Sequence, residues 1–244
     1  MKKIRSIHFV GIKGVGMTPL AIIVKEAGFV VSGCDIEEEF ITDAALKKTK
    51  IKPLAGFSKD HVKGVDLVIT TGAHGGFDNE EVLAAKEQGR TIWTQGQAVG
   101  EFMNGKLFGR KFEGISVAGS HGKTSTTAML ATIFKENGFD PSFLIGTGDV
   151  VSLGTPGHFG KGTYFIAEAD EYATEPTHDA KAKFLWQHPK IAIFTNIEFD
   201  HPDLYASIDD VREAFLQFAH NIAKDGVLIL NGDDRESQKL GGSY

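Results

Sequence analysis

Only one cysteine, Cys34, occurs in 244 residues. No internal disulfide can form, which fits a reducing, cytoplasmic location. No run of about 18 apolar residues is present, so no segment reads as a membrane span. The start Met1-Lys2-Lys3-Ile4-Arg5 imitates a secretion-signal n-region. The apolar run behind it, Ile7 to Val10, breaks at Gly11 and is too short for the apolar core of a signal peptide. No Lys/Arg run resembles a nucleic-acid footprint, and the net charge is -6. Both argue against a nucleic-acid partner. The glycines follow no fixed period, which excludes collagen-like chains and repeat arrays.

What is abundant is glycine, at 29 residues. Hydrophobic residues make up 41% and charged residues 24%, the balance of a globular chain that can bury its own core. The length fits one large domain or two ordinary ones. Strand and helix patterns alternate. Ile7–Val10 reads as a strand, 17–27 as a helix stopped by Gly28, and 29–33 as a strand with Asp35 just past its end. Residues 66–71 and 91–93 read as strands, with a helix over 79–88 between them. The pattern restarts after the segment 105–114, with strands at 115–117, 164–167, 191–195 and 227–230 and helices at 124–137 and 211–223. Residues 146–162, with six glycines, read as a loop or hairpin. Such alternation implies an α/β fold with parallel sheets covered by helices. Two units are expected, 1–108 and 109–244, each opening with a strand-glycine-helix turn and hence each offering a ligand site.

The second turn is Gly119-Ser120-His121-Gly122-Lys123-Thr124-Ser125. Backbone N–H groups between a strand and a helix form an anion cradle. Lys123 can place charge on the β/γ-phosphates of ATP, and the Thr124 hydroxyl can reach Mg²⁺. The first glycine stands closer to Gly122 than the general P-loop spacing requires. Two later strands run into polar groups, Glu168-Ala169-Asp170-Glu171 and Asn196-Ile197-Glu198-Phe199-Asp200-His201-Pro202-Asp203. In open α/β sheets these strand ends share one ligand-binding rim. Carboxylates suit Mg²⁺, while an imidazole such as His201 suits a second ion or Mn²⁺. Taken singly, these are ordinary loop residues; beside a phosphate cradle they form a candidate metal site.

Together, Gly119-Ser-His-Gly-Lys-Thr-Ser, Glu168-Ala-Asp-Glu and Thr195-Asn-Ile-Glu-Phe-Asp-His resemble the Mur ligases of peptidoglycan synthesis, whose own P-loop has this short spacing. Gly11-Ile-Lys-Gly-Val-Gly-Met resembles that family's UDP-binding turn. The resemblance implies a Rossmann-like UDP-binding domain followed by a P-loop ATPase domain. It implies ATP and Mg²⁺ as cofactors, and UDP-N-acetylmuramate and an amine as substrates. It makes Lys123, Glu168 and His201 the catalytic set, with Thr124, Glu168 and His201 on metal. It places Gly119 to Ser125 and Asn196 at ATP. Gly11, Gly14, Val15, Gly16, Met17 and Asp35 go to the UDP-sugar. Glu171-Tyr172, Lys183-Phe184 and Glu198 to His201 point to the branch that recycles a murein tripeptide, whereas the turn at 11–16 points to the branch that adds L-alanine. Family members carry a third, C-terminal domain, which is expected to be absent from these residues. Two other classes share some of these features. A dinucleotide oxidoreductase would explain Gly11-x-x-Gly14-x-Gly16 with Asp35, but in the wrong glycine order and with nothing for 119–124 to do. A non-catalytic nucleotide-binding module would keep both sites without turnover.

Overall fold

The protein is described here by a computed structural model covering residues 4–244; Met1, Lys2 and Lys3, the tip of the basic start, lie outside the described residues. The first half builds β1 (Ser6–Val10), α1 (Thr18–Glu26), β2 (Val30–Asp35), α2 (Asp43–Lys48) and β3 (Leu54–Ala55). It continues with β4 (Leu67–Thr70), α3 (Glu80–Glu87), β5 (Thr91–Thr94) and α4 (Gln95–Met103). Its five strands lie in the order β3-β2-β1-β4-β5, and every pairing is parallel. From β1 the chain moves first to one side and then to the other. That makes the carboxyl end of β1 the switch point where such sheets bind ligands.

The second half contributes β6 (Glu113–Ala118), α5 (Lys123–Glu136), β7 (Ser142–Leu144), β8 (Gly157–His158) and β9 (Tyr164–Ala169). It ends with β10 (Ala173–Glu175), β11 (Asp179–Ala182), β12 (Ile191–Phe194), α6 (Ile208–Ala219), β13 (Val227–Leu230) and α7 (Arg235–Gly241). The main sheet runs β13-β12-β6-β9-β7-β8, parallel except for the edge strand β8. Strands β10 and β11 form a separate antiparallel hairpin.

Helix α1 shows why the halves pack together. Pro19 sits at its start, where a missing N–H costs nothing. Thr18 through Val24 are all buried, so the helix is apolar all round. One side covers the first sheet, and the other meets β7 and β8 of the second. Ile7, Phe9, Leu20, Leu144 and Phe165 accordingly belong to one continuous core. Among the described residues no helix is long and apolar enough to cross a membrane.

Several strands outrun their sequence pattern, and in two of them this moves a candidate site residue. Strand β2 continues to Asp35, so this carboxylate ends the strand instead of following it. Strand β9 continues to Ala169, which places Glu168 within the strand, paired with Val117 of β6. The segment 104–112 links the two sheets. Helices α2, α4 and α7 and strands β7, β10 and β11 carry no clear period in the sequence.

Candidate functional site

The second sheet carries a glycine loop between β6 and α5 whose N–H groups form a cradle. Gly119 and Gly122 have φ of 142° and 81°, which only glycine adopts freely. A Cβ on Gly119 would stand 1.9 Å from Thr195 Oγ1. The base of the loop is clamped to the exit of β12. Ser120 N–H donates to Asn196 O at 3.2 Å, and His121 N–H donates to Asn196 Oδ1 at 2.9 Å. Ser120 Oγ donates to Glu198 O and accepts from Glu198 N–H. The side chains of Ser120 and Asn196 are thus committed to shaping the loop. His121 is exposed, 3.7 Å from Glu198. Among the described residues, the N–H groups of Gly122, Lys123, Thr124 and Ser125 have no protein partner. Unpartnered N–H groups at a helix start attract an anion.

Lys123 lies at the mouth of this cradle. Its ammonium donates to Gly119 O at 2.6 Å and to both oxygens of Glu171, at 3.0 and 2.9 Å. Thr124 Oγ1 donates to Glu168 Oε2 at 3.3 Å, and Gly146 N–H donates to Glu168 Oε1 at 2.7 Å. Burial pushes the Glu168 carboxyl up, against the pull of Gly146, Thr124 and Lys123. Burial likewise pushes Glu171 up, against Lys123. At Asp170 burial also acts upward, but the ammonium of Lys183 at 2.8 Å outweighs it and holds the carboxyl low.

His201, read from the sequence as a ligand for a second ion, stands among other neighbours than Glu168. His201 Nε2 lies 3.8 Å from Glu171 Oε1 and 3.8 Å from Asp200 Oδ2, and these are its recorded acidic partners. Glu171, Asp200 and His201 offer ligand atoms all within 4.8 Å of one another. The physical reason is the end of β9. Glu168, inside the strand, faces Thr124 and Gly146, whereas the chain past Ala169 brings Glu171 round to Lys123. His201 has φ of 56°, an uncommon conformation for a non-glycine residue, and its ring packs 4.9 Å from Tyr172. Tyr205 Oη donates to Glu171 O at 2.7 Å and fixes that turn. Glu171 was not singled out as a site residue from sequence. Its signal was being the last acid of the Glu168 to Glu171 run. The oxygen donors fit Mg²⁺, with Thr124 and Glu168 close enough to share one ion.

The first sheet carries the second candidate site. Gly11 leaves β1 with φ of 81°, and a Cβ there would meet Thr71 at 2.5 Å. Gly14 N–H donates to Gly11 O, and Met17 N–H donates to Gly14 O. The N–H groups of Val15 and Gly16 have no protein partner among the described residues. Val15 is exposed, whereas the Met17 side chain is buried in the core. Met17 therefore belongs to the packing of α1, not to a substrate surface. Asp35 is also redirected. It is 1% exposed, accepting from Lys13 N–H at 2.7 Å and Ile36 N–H at 2.9 Å, and it lies 3.3 Å from His74 Nε2. Its role is to hold the glycine turn.

The two halves also meet beside the loop that follows β4. A Cβ on Gly72 would stand 2.9 Å from Pro176, and one on Gly76 would stand 2.1 Å from Glu175 Oε1. The loop after β4 thus rests on β10, which begins two residues past Glu171. A further donor group, His8, Cys34 and Glu81, is closed. Glu81 accepts from Ser58 N–H and bonds His8, His61 and Cys34, so its oxygens are fully engaged. Burial first, then Glu81, pushes the Cys34 thiol far up.

Residues 117–242 match the Mur ligase middle domain, and residues 6–107 match the Mur ligase family, catalytic domain. The chain is similar to UDP-N-acetylmuramate–L-alanine ligase of Desulfitobacterium hafniense, 37% identical over 235 residues, covering 96% of this chain and 49% of that protein. It therefore spans about half the length of the curated relatives it matches. Its fold is similar to UDP-N-acetylmuramate:L-alanyl-gamma-D-glutamyl-meso-diaminopimelate ligase (MPL) from Neisseria meningitides. The TM-score is 0.84 at 28% identity, covering 99% of this chain and 75% of that one. It is also similar to UDP-N-acetylmuramate-alanine ligase MurC from Thermotoga maritima, with a TM-score of 0.78 at 30% identity, covering 96% and 51%.

Proposed function

The chain belongs to the Mur ligase family, and on that premise we propose that it binds UDP-N-acetylmuramate at Gly11 to Gly16 and ATP at Gly119 to Ser125, for ATP-dependent ligation of an amine to the sugar's lactyl carboxylate. The observation that carries this is the pairing of Lys123 with Glu171 and Thr124 with Glu168 at the mouth of an unpartnered N–H cradle. In the reaction the carboxylate oxygen attacks the γ-phosphorus, ADP leaves and an acyl phosphate forms. The amine then attacks the acyl carbon, and phosphate leaves. No side chain acts as nucleophile. The N–H groups of residues 122–125 hold phosphoryl oxygens, and Lys123, released from Glu171, neutralises their charge. Thr124 and Glu168 would hold one Mg²⁺, and Glu171, Asp200 and His201 offer donors for a second. Bound Mg²⁺ would supply further neutralisation between phosphoryl groups.

The names of the curated relatives favour L-alanine as the amine. A second candidate, a preformed murein tripeptide, is favoured by the fold similarity to the Neisseria enzyme. Either reaction uses nucleotide precursors made in the bacterial cytoplasm, and that is the location we propose. The test is calorimetric titration with UDP-N-acetylmuramate and with ATP and Mg²⁺. Each is expected to bind one to one without displacing the other. Mutual displacement would mean that one site had been taken for two, and binding of NAD instead would favour an oxidoreductase.

A further inference from the structure

The loop that follows β4 holds a histidine that the glycine-turn comparison leaves without a task. His74 has φ of 55°, and Gly75 and Gly76 after it have φ of 85° and 50°. Three successive left-handed residues need external support, and the loop has it. Asn79 Nδ2 donates to His74 O at 3.0 Å, Gly76 N–H donates to Ala73 O, and Glu175 packs directly on Gly76. A non-glycine residue held in this conformation calls for a reason.

The imidazole is fixed from three sides. Phe57 packs on it with centroids 5.2 Å apart. Gly11, the first residue of the glycine turn, approaches so closely that its Cβ would stand 3.5 Å from His74 Cδ2. Asp35 Oδ1 lies 3.3 Å from Nε2. A carboxylate that close to Nε2 draws the proton of a neutral ring to that side by charge alone, which leaves Nδ1 as the acceptor. Among the described residues Nδ1 has no partner. The side chain is 24% exposed, so a ligand can reach it.

In dinucleotide-binding sheets the acid at the end of the second strand accepts from a ribose hydroxyl. Here that acid is buried, accepts from the Lys13 and Ile36 N–H groups, and lies 3.3 Å from His74 Nε2. We propose that His74 takes over this task, its Nδ1 accepting a hydrogen bond from the uridine of the bound nucleotide while Asp35 and Phe57 act as positioning residues. The inference rests on the first unit binding a UDP-sugar. A phosphate at the same place would meet the buried negative charge of Asp35, whereas a neutral donor such as a ribose hydroxyl or the uracil imide N–H does not. The diphosphate is left to the Val15 and Gly16 N–H groups.

The experiment measures UDP affinity of the wild-type protein, His74→Asn and His74→Gly by calorimetry, with 2′-deoxy-UDP, N3-methyl-UDP and inorganic pyrophosphate as further probes. Glycine and asparagine both tolerate this backbone conformation, so thermal stability is expected to hold or rise. UDP affinity is expected to fall about tenfold, the worth of one hydrogen bond to a partly buried group. One of the two modified nucleotides should bind wild-type protein about tenfold more weakly than UDP, and the variants should not make that distinction. Variants that bind UDP as wild type does would overturn the inference. So would an equal loss for pyrophosphate, which would put His74 on the phosphates. Wild-type protein that binds no UDP would instead sink the assignment of the first unit, and this inference with it.

Discussion

Lys123→Ala removes the cation beside Glu171, and the consequence for stability can be worked from the contacts. Glu171 is 1% exposed on its side chain and Lys123 16%, so the pair is largely shielded from water. Removing one partner of a buried ion pair leaves an uncompensated charge and costs about 3–5 kcal/mol. The lower end applies here, because burial already pushes Glu171 towards its neutral form. For a chain of this size about 3 kcal/mol lowers the unfolding midpoint by roughly 6–12 °C. Glu171→Gln leaves Lys123 bonded to Gly119 O and Ser120 O, so its cost is about 1–2 kcal/mol. In the double variant no unpaired charge is left, and the two effects should fall short of their sum by about 2 kcal/mol. Urea unfolding at neutral pH of the four proteins completes the cycle. Strictly additive effects, or a Lys123→Ala protein as stable as wild type, would refute the assignment of this pair as a buried, coupled contact.

Three further outcomes follow from other contacts. His158 Nδ1 is 2.8 Å from Glu26 of α1, and this bond first, with Asp140 adding to it, raises the imidazole above its ordinary range despite burial. A raised histidine stabilises fully below its unfolded value of about 6.5 and loses that effect as pH rises through the folded value. His158→Gln should therefore weaken the protein more at pH 6 than at pH 9 in urea titrations, and an equal effect at both would contradict the protonated bridge. Gly119→Ala forces a Cβ to 1.9 Å from Thr195 Oγ1, so ATP affinity should fall at least about tenfold while UDP-sugar binding persists; unchanged ATP binding would show that the loop is not the cradle. Glu81→Ala strands His8, Cys34, His61 and Ser58 N–H, at a cost of about 3 kcal/mol or more in chemical unfolding; a loss below about 1 kcal/mol would show that the cluster is not a structural tie.

The strand-glycine-helix turns at 11–16 and 119–125 were legible because closely spaced glycines, joined at the second by Lys123 and Thr124, mark such a turn locally. The long buried strands were legible for the same kind of reason: four or more apolar residues ended by a glycine or an acid. Helix α4, by contrast, begins Gln95-Gly96-Gln97 with two glycines inside it. Gly96 and Gly100 are there so that Lys183 and the backbone of Trp186 can approach, which is a tertiary demand. The hairpin β10–β11 was hidden because its strands are short and lie outside both main sheets, with β10 resting on α4 and on the loop after β4. Within the site, Thr124 and Glu168 come together as the motifs suggest, but the partner of His201 could not be read from spacing. It depends on where β9 ends and how the chain turns after Ala169. Asp35 and Met17 show the same limit. Each sits beside a motif and points into the fold.

The most direct test of two independent nucleotide sites is calorimetry on Lys123→Ala, with wild-type protein alongside and circular dichroism to verify folding. UDP-N-acetylmuramate should bind the variant as it binds wild type, while ATP with Mg²⁺ gives no measurable heat of binding. Equal loss of both ligands from a folded variant, or retention of ATP at wild-type affinity, would contradict the account.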